Sequence, residues 1–191
     1  MKKTLLTGPA VEPLSLAEAK AHLRLDAADE DQLVERLIAA ARASVESATR
    51  LVMIAQSWRV SLEVWPREGV VSLPVRPLLS VDAVRAFDAS GAATLVPAGD
   101  YEVDREAGTV AAKAGAAGFA PSLSAGGIEV DFTAGFGPAG ADVPAPLRQA
   151  MLMLAAHWFE HRSAVAVGDV PEPVPAGVAA LTAPYRRMAL C

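Results

Sequence analysis

Apolar residues recur every three or four positions between residues 33 and 52, which is the spacing of a helix with one buried side. Upstream, Ser15-Leu16-Ala17-Glu18 has the S-x-x-E form of a capping box, so a short first helix is predicted to begin there and end near Leu25. Asp26 and Asp29 then favour the start of a second helix. Its recurring apolar residues are Leu33, Val34, Leu37, Ile38, Ala41, Val45, Ala48 and Val52.

The spacing changes to two at residue 57, where apolar and polar residues alternate as far as Val64 and predict a half-buried strand. The apolar positions are Trp58, Val60, Leu62 and Val64, and the polar ones are Arg59, Ser61 and Glu63. Short connections between strand candidates predict antiparallel pairing. The stretch 114–127 is rich in Ala, Gly and Ser without periodicity, and we predict a flexible loop there. The further strand candidates are Val70–Leu73, Val81–Phe87, Thr94–Val96, Tyr101–Asp104, Thr109–Ala112 and Ile128–Thr133.

A third helix is predicted from Leu147, because apolar residues again share one face after the proline-containing start at Pro144 and Pro146. Three prolines at 171, 173 and 175 then predict an extended arm to Cys191. The whole pattern predicts an α+β fold. It is a helical bundle of two N-terminal helices plus a helix in the C-terminal third, with an inserted antiparallel β meander and an extended C-terminal arm. The expected boundaries are 1–55 and 135–164 for the helical bundle, 56–134 for the β insertion, and 165–191 for the arm.

Composition narrows the classes of function. The 191 residues are 52% hydrophobic, which excludes a disordered chain. Acidic residues outnumber basic ones, 22 to 17, and the net charge of -5 argues against tight DNA binding. Cys191 is the single cysteine, so an intrachain disulfide is excluded. The N-terminal apolar stretch is too short for a signal peptide and no stretch is long enough to span a membrane, so we expect a cytosolic protein without membrane contact.

One motif has the form of a catalytic site. His157-Trp158-Phe159-Glu160-His161 matches the H-x-x-E-H pattern of inverted zinc peptidases, with two imidazoles one helical turn apart. A hydrolytic zinc needs a third protein ligand and an open position, and only Glu160 itself, Asp169 and Glu172 lie nearby. A polar flank at a helix end explains the same residues, and no cofactor is predicted. A small zinc metallopeptidase stays open as an alternative, as does a free-standing interaction domain.

The order of segments resembles the head-tail connector, or adaptor, proteins of tailed bacteriophages and phage-like gene transfer agents. The resemblance begins with the opening helices, 14–25, 29–31 and 37–46, and covers nearly the whole chain. Later landmarks are Gln56-Ser57-Trp58, Leu73-Pro74-Val75-Arg76-Pro77-Leu78, Ala134-Gly135-Phe136-Gly137, Val143-Pro144, and the segment 147–162 with its His-Trp-Phe-Glu-His-Arg ending. The strand-rich middle is longer than in the most helical members.

This resemblance implies a structural protein, not an enzyme, in the neck of a virion or phage-like particle. It implies a ring, commonly of twelve copies, that docks on the portal protein and receives a tail-side neck protein, a stopper or tail terminator, while DNA passes through the bore without specific binding. Assembly is expected in the bacterial cytoplasm. For the portal contact the implied residues are Leu181, Tyr185, Arg186, Arg187, Met188 and Leu190. For contacts between subunits we consider the charged side of the second helix, at Arg36, Arg42, Glu46 and Arg50.

Overall fold

The structure, a computed structural model, describes residues 1–116, 118–119, 127–161 and 175–186. These residues form two compact units. Residues 1–10 and 55–136 make the first, which we call the β unit. Residues 11–54 and the described residues from Gly137 onward make the second, the helical unit. Four helices and two antiparallel sheets confirm the predicted α+β class.

The β unit contains eight described strands in two antiparallel sheets. The larger sheet has the order β1-β2-β8-β4-β5 and the smaller has β3-β7-β6. Strand neighbours are therefore often distant in sequence, and the arrangement is more complex than a meander. The strands are β1 Lys2–Thr7, β2 Gln56–Leu62, β3 Val70–Ser72, β4 Leu78–Phe87, β5 Ala93–Leu95, β6 Tyr101–Asp104, β7 Thr109–Ala112 and β8 Ile128–Ala134.

Strand β1 corrects the sequence interpretation, which grouped the first residues with the helices. Residues 2–7 pair with β2 instead, with Leu5 opposite Trp58 and Lys3 opposite Val60. The Lys3 ammonium also lies 5.8 Å from the centre of the Trp58 ring, a favourable cation-π distance. The strand has no clear alternation of apolar and polar residues, because all six of its side chains are exposed at the sheet edge. Periodicity therefore contained no signal for it.

One face of the larger sheet forms the core of the β unit. Val60 pairs with Val130, and Val130 pairs with Val84, and all three are fully buried. Because side chains alternate across a strand, the residues between them point to the opposite face, which is polar. That polar face includes Arg59, Arg85 and Asp131, three residues that are far apart in sequence.

The predicted loop 114–127 is anchored at one described point. Phe119 is only 6% exposed and its ring lies 4.5 Å from that of Trp65, which is also buried. An aromatic pair of this kind is worth about 0.5–1.5 kcal/mol beyond the burial of its surface. The structure therefore shows core packing at position 119, whereas positions 117 and 120–126 lie outside the described residues.

The helical unit begins with α1, Leu16–Leu23, and the predicted capping box is confirmed. The Ser15 hydroxyl accepts a hydrogen bond from the Glu18 amide, and the Glu18 carboxylate accepts one from the Ser15 amide. These bonds, the Ser15 backbone bond first, hold the pKa of Glu18 below its usual value. Helix α2 spans Asp31–Thr49. Neither Asp26 nor Asp29 caps it, because Glu30 occupies the N-cap position without a side-chain cap bond.

The predicted extended arm is wrong for residues 176–182, which form helix α4, Ala176–Thr182, after α3, Ala145–Glu160. Pro175 occupies the N-cap position, which precedes the first helical residue and needs no amide donor for the helix. Val178 and Thr182 are buried, and a methyl group added to Gly177 would lie 2.7 Å from the Met153 side chain of α3. This close packing explains why a helix forms in a segment that proline content alone assigned to an arm.

Among the described residues, no helix combines the length and the apolar character needed to cross a membrane.

Candidate functional site

The charged side of α2 separates into two kinds of residue. The Arg42 guanidinium donates hydrogen bonds to the Glu12 carboxylate at 2.7 and 3.2 Å and to Glu46 at 3.1 Å. Glu46 also accepts the Met53 amide at 2.9 Å. We call this network of Glu12, Arg42, Glu46 and Met53 the α2 clamp. Through it, Arg42 and Glu46 find their hydrogen-bond partners within their own chain.

Burial raises the pKa of Glu46, although its bonds to the Met53 amide and to Arg42 act in the opposite direction. Burial, the largest effect, disfavours the charged form of the Glu46 carboxylate. By contrast, Arg36 and Arg50 are exposed, and neither forms a salt bridge within the described residues. Arg50 ends α2 in the left-handed conformation, with φ 59°. Of the four residues considered for subunit contacts, these two remain available to solvent.

The predicted portal-contact residues begin on α4. Leu181 and Tyr185 are half-buried and Arg186 is exposed, whereas Arg187, Met188 and Leu190 lie outside the described residues. Arg186 also borders a cavity of about 270 Å³ between α2, α3 and α4. The Thr182 hydroxyl donates to the Val178 carbonyl at 2.9 Å and so loses no hydrogen bond on burial. The described part of the chain therefore ends with a short packed helix, followed by the aromatic Tyr185 and the cationic Arg186.

The H-x-x-E-H residues sit at the end of α3. His161 has left the helix, with φ -104° and ψ 48°, and its Nδ1 donates to the His157 carbonyl oxygen at 2.8 Å. The two imidazole centres are 4.6 Å apart, and Glu160 is exposed. Within the described part of the chain, no group of three His, Cys, Asp or Glu residues could hold a metal ion. The geometry of the described residues thus adds nothing to the peptidase alternative.

A charge cluster that sequence reasoning missed lies on the polar face of the larger sheet. The Arg59 guanidinium donates to both Asp131 oxygens, at 2.6 and 2.9 Å, and Arg85 donates to the Asp131 Oδ2 atom at 2.6 Å. Arg59 also pairs with Glu129 at 3.2 Å. Hydrogen bonding to Arg59, and then to Arg85, lowers the pKa of Asp131. Because the cluster has two positive and two negative groups, it is neutral overall and is not a basic patch.

The two sheets also have strands at their edges. Within the described ranges, β1 pairs only with β2 and β6 pairs only with β7, so each has one free edge. Unpaired edges offer backbone donors and acceptors to a further strand. Strand β1 exposes Leu5 and Leu6, each 46% accessible. No single-sequence signal indicates which strands end up at an edge, because this depends on the pairing order of the sheet.

Solved structures similar to this chain come from gene transfer agent (GTA) particles. A chain from the neck of an empty GTA particle, computed with C6 symmetry, is 32% identical with a TM-score of 0.80, over 100% of this chain and 98% of that chain. A chain from the virion of a native GTA particle is 32% identical with a TM-score of 0.82 and the same coverage. A chain from the neck of a native GTA particle, computed with C12 symmetry, is 30% identical with a TM-score of 0.79, again over 100% and 98%.

Together with the fold, these matches define a class, the structural proteins of the virion neck. The family model of phage gp6-like head-tail connector proteins matches residues 13–87. The comparison with curated proteins found no match. The chain belongs to the phage gp6-like head-tail connector family, which confirms the resemblance inferred from its sequence.

Proposed function

We propose that this connector forms a ring of twelve copies in the neck of a phage or phage-like particle, between the portal and a tail-side protein, with DNA passing through the bore. The observation that carries the proposal is the full-length likeness to a chain from a GTA neck computed with C12 symmetry, at 30% identity. A conduit must let DNA slide, and the net charge of -5 supports this because few phosphates could be neutralised at once. Assembly takes place in the bacterial cytoplasm.

The proposed portal contact is the C-terminal region, with Leu181, Tyr185, Arg186, Arg187, Met188 and Leu190. In support, Tyr185 and Arg186 lie at the end of the single 3-10 turn that follows α4, and both keep exposed surface. Tyrosine and arginine are enriched among residues that dominate binding energy, because both offer a large contact area and directional hydrogen bonds. Packing of α4 on α3 gives these two residues a firm support, which lowers the entropy lost on binding.

For the contact between copies, the proposal now distinguishes the four charged residues of α2. Arg36 and Arg50 reach a neighbouring copy, since they are exposed. Arg42 and Glu46 support that surface from within, through the α2 clamp. The protein acts by shape and adhesion, without catalysis. The metallopeptidase alternative has no specific observation in its favour.

A docking experiment tests the portal assignment. The variant carrying Tyr185→Ala and Arg186→Glu is expected to lose copurification with the portal protein and to leave particles without tails. Arg67→Glu is the matched control, because it reverses an exposed arginine in the turn between β2 and β3 and should dock normally. Normal docking of the double variant would contradict the assignment. Absence of the wild-type chain from the necks of purified particles, imaged by electron cryomicroscopy, would contradict the proposed function itself.

A further inference from the structure

Among the strands that the structure describes, four lie at sheet edges, and they differ in length and charge. Strands β3 and β5 have three residues each and carry no charged side chain. Strand β1 has six residues and includes Lys2 and Lys3. Strand β6 has four residues and includes Glu102 and Asp104, both exposed. The two longest edges therefore have opposite charge.

This difference selects one kind of pairing between copies. Pairing β1 with β1 would place lysines near lysines, and pairing β6 with β6 would place carboxylates near carboxylates; both arrangements are unfavourable. Pairing β1 with β6 places opposite charges together. Such a contact joins two different surfaces of the same protein, so each copy keeps a free edge for the next copy, and the chain of contacts can close into a ring.

We propose that β1 of one copy adds to β6 of the next copy as an antiparallel strand, an inference that rests on the proposed ring. One register places a lysine opposite a carboxylate and Leu5 opposite an aromatic ring. Lys2 lies opposite Asp104 and Thr4 opposite Glu102, so these four side chains share one face and Lys2 also lies diagonal to Glu102. Lys3 and Leu5 lie opposite Val103 and Tyr101 on the other face.

The accessibility of the residues agrees with this register. Leu5 is 46% exposed at an edge, which leaves apolar surface for the half-buried Val103 and Tyr101 to cover. The Asp104 carboxylate accepts the Ala107 amide at 2.8 Å within its own turn, so it is held in place before a partner arrives. The lysines of β1 thus have two effects: they prevent pairing between identical β1 edges, and they attract the acidic edge.

Cross-linking in assembled particles tests the register directly. Directly opposed residues on neighbouring strands have Cβ atoms about 4.5–5.5 Å apart, a distance that a short thiol-reactive linker spans. In a Cys191→Ser background, T4C with E102C should give a ladder of linked copies on a denaturing gel. The matched control is T4C with T94C, which moves the second cysteine to the exposed edge strand β5 and should stay monomeric. These variants keep Lys2, Lys3 and Asp104.

Charge reversal gives a second measurement. K2E with K3E, and separately E102K with D104K, should each cause loss of the connector from purified particles, and the combination of all four should restore it. A ladder only with T94C, no ladder in particles that contain complete rings, or normal incorporation of both double reversals would overturn the strand pairing and leave the proposed function intact. Absence of the wild-type chain from particle necks would overturn both.

Discussion

Asp131 lies between two arginines on the larger sheet, and its replacement by alanine should destabilise the β unit. The residue is only 8% exposed and accepts three short hydrogen bonds from Arg59 and Arg85. Removing the carboxylate leaves two guanidinium groups side by side without their shared counter-charge. Of these two arginines, the neighbouring Glu129 pairs with Arg59, so it compensates only in part for the lost carboxylate.

The expected loss of stability depends on how well water can replace the lost hydrogen bonds. Removing one partner of a buried ion pair costs about 3–5 kcal/mol, whereas an exposed pair is worth about 0–1 kcal/mol. The side chains of Arg59 and Arg85 are 31% and 34% exposed, so both can regain some hydration. We therefore expect Asp131→Ala to lower the free energy of unfolding by about 2 kcal/mol at pH 7, between the two limits.

Urea unfolding of the purified subunit, followed by tryptophan fluorescence, measures this change because Trp58 and Trp65 both lie in the β unit. Arg85→Ala should cost less than Asp131→Ala, since Arg59 keeps its two-point contact with the carboxylate. Asp82→Ala is a matched control: it removes an exposed carboxylate that accepts from the Ser80 and Thr133 hydroxyls, and should change stability by about 0.5 kcal/mol or less.

The pH dependence gives an independent check of the same cluster. The pKa of Asp131 is lower in the folded protein than in the unfolded chain, where it is about 3.9. The stability that the Asp131 carboxylate contributes is therefore complete above its pKa in the unfolded chain, and is lost as the pH falls through its lower pKa in the folded protein. Asp131→Asn should reduce the loss of stability below pH ~4 relative to wild type. A cost for Asp131→Ala no larger than that of Asp82→Ala, together with an unchanged acid profile, would refute the reasoning.

Two further predictions concern the helical unit. Ser15→Ala removes the hydroxyl that caps α1 and should lower the free energy of unfolding by about 1 kcal/mol, measured by thermal unfolding. The control is Ser90→Ala, at an exposed serine, which should lower the free energy of unfolding less. Equal losses for the two variants would argue against the cap. Glu46→Ala should lower the free energy of unfolding by about 1–3 kcal/mol because the Met53 amide loses its acceptor. Glu46→Gln keeps a carbonyl oxygen at that place and should lower the free energy of unfolding clearly less in the same assay. Equal losses for the two variants would show that the charge of Glu46, and not its hydrogen bond to Met53, determines stability.

The features that sequence analysis predicted correctly are local ones. The capping box uses two residues three positions apart, and the apolar stripe of α2 repeats within a few turns, so both appear in any short window of sequence. Strands β3 and β5 to β8 were predicted within one residue of their bounds for the same reason, whereas the predicted alternation of β2 continued to Val64, two residues past the end of that strand at Leu62. Strand β1 was missed because its partner β2 begins about fifty residues later, and only that pairing makes it a strand.

In the candidate site, too, local features could be predicted and long-range contacts could not. The cluster at Asp131 requires residues 59, 85 and 131 to meet, which depends on the registers of β2 and β4 with β8. No motif in the chain indicates those registers. Helix α4 was missed because prolines near 175 were interpreted as an arm, although a proline that precedes the first helical residue is fully compatible with a helix. The family resemblance was visible because it depends on the order of segments, which the sequence states directly.

The α2 clamp has a mechanical consequence. Glu12 lies just after the chain passes from the β unit into the helical unit, and Met53 lies just before it returns. Both positions are tied to α2 within one helical turn, at Arg42 and Glu46. Both ends of the segment 11–54 are therefore held to neighbouring turns of the same helix, and loss of one contact would release one end while the other stays bound.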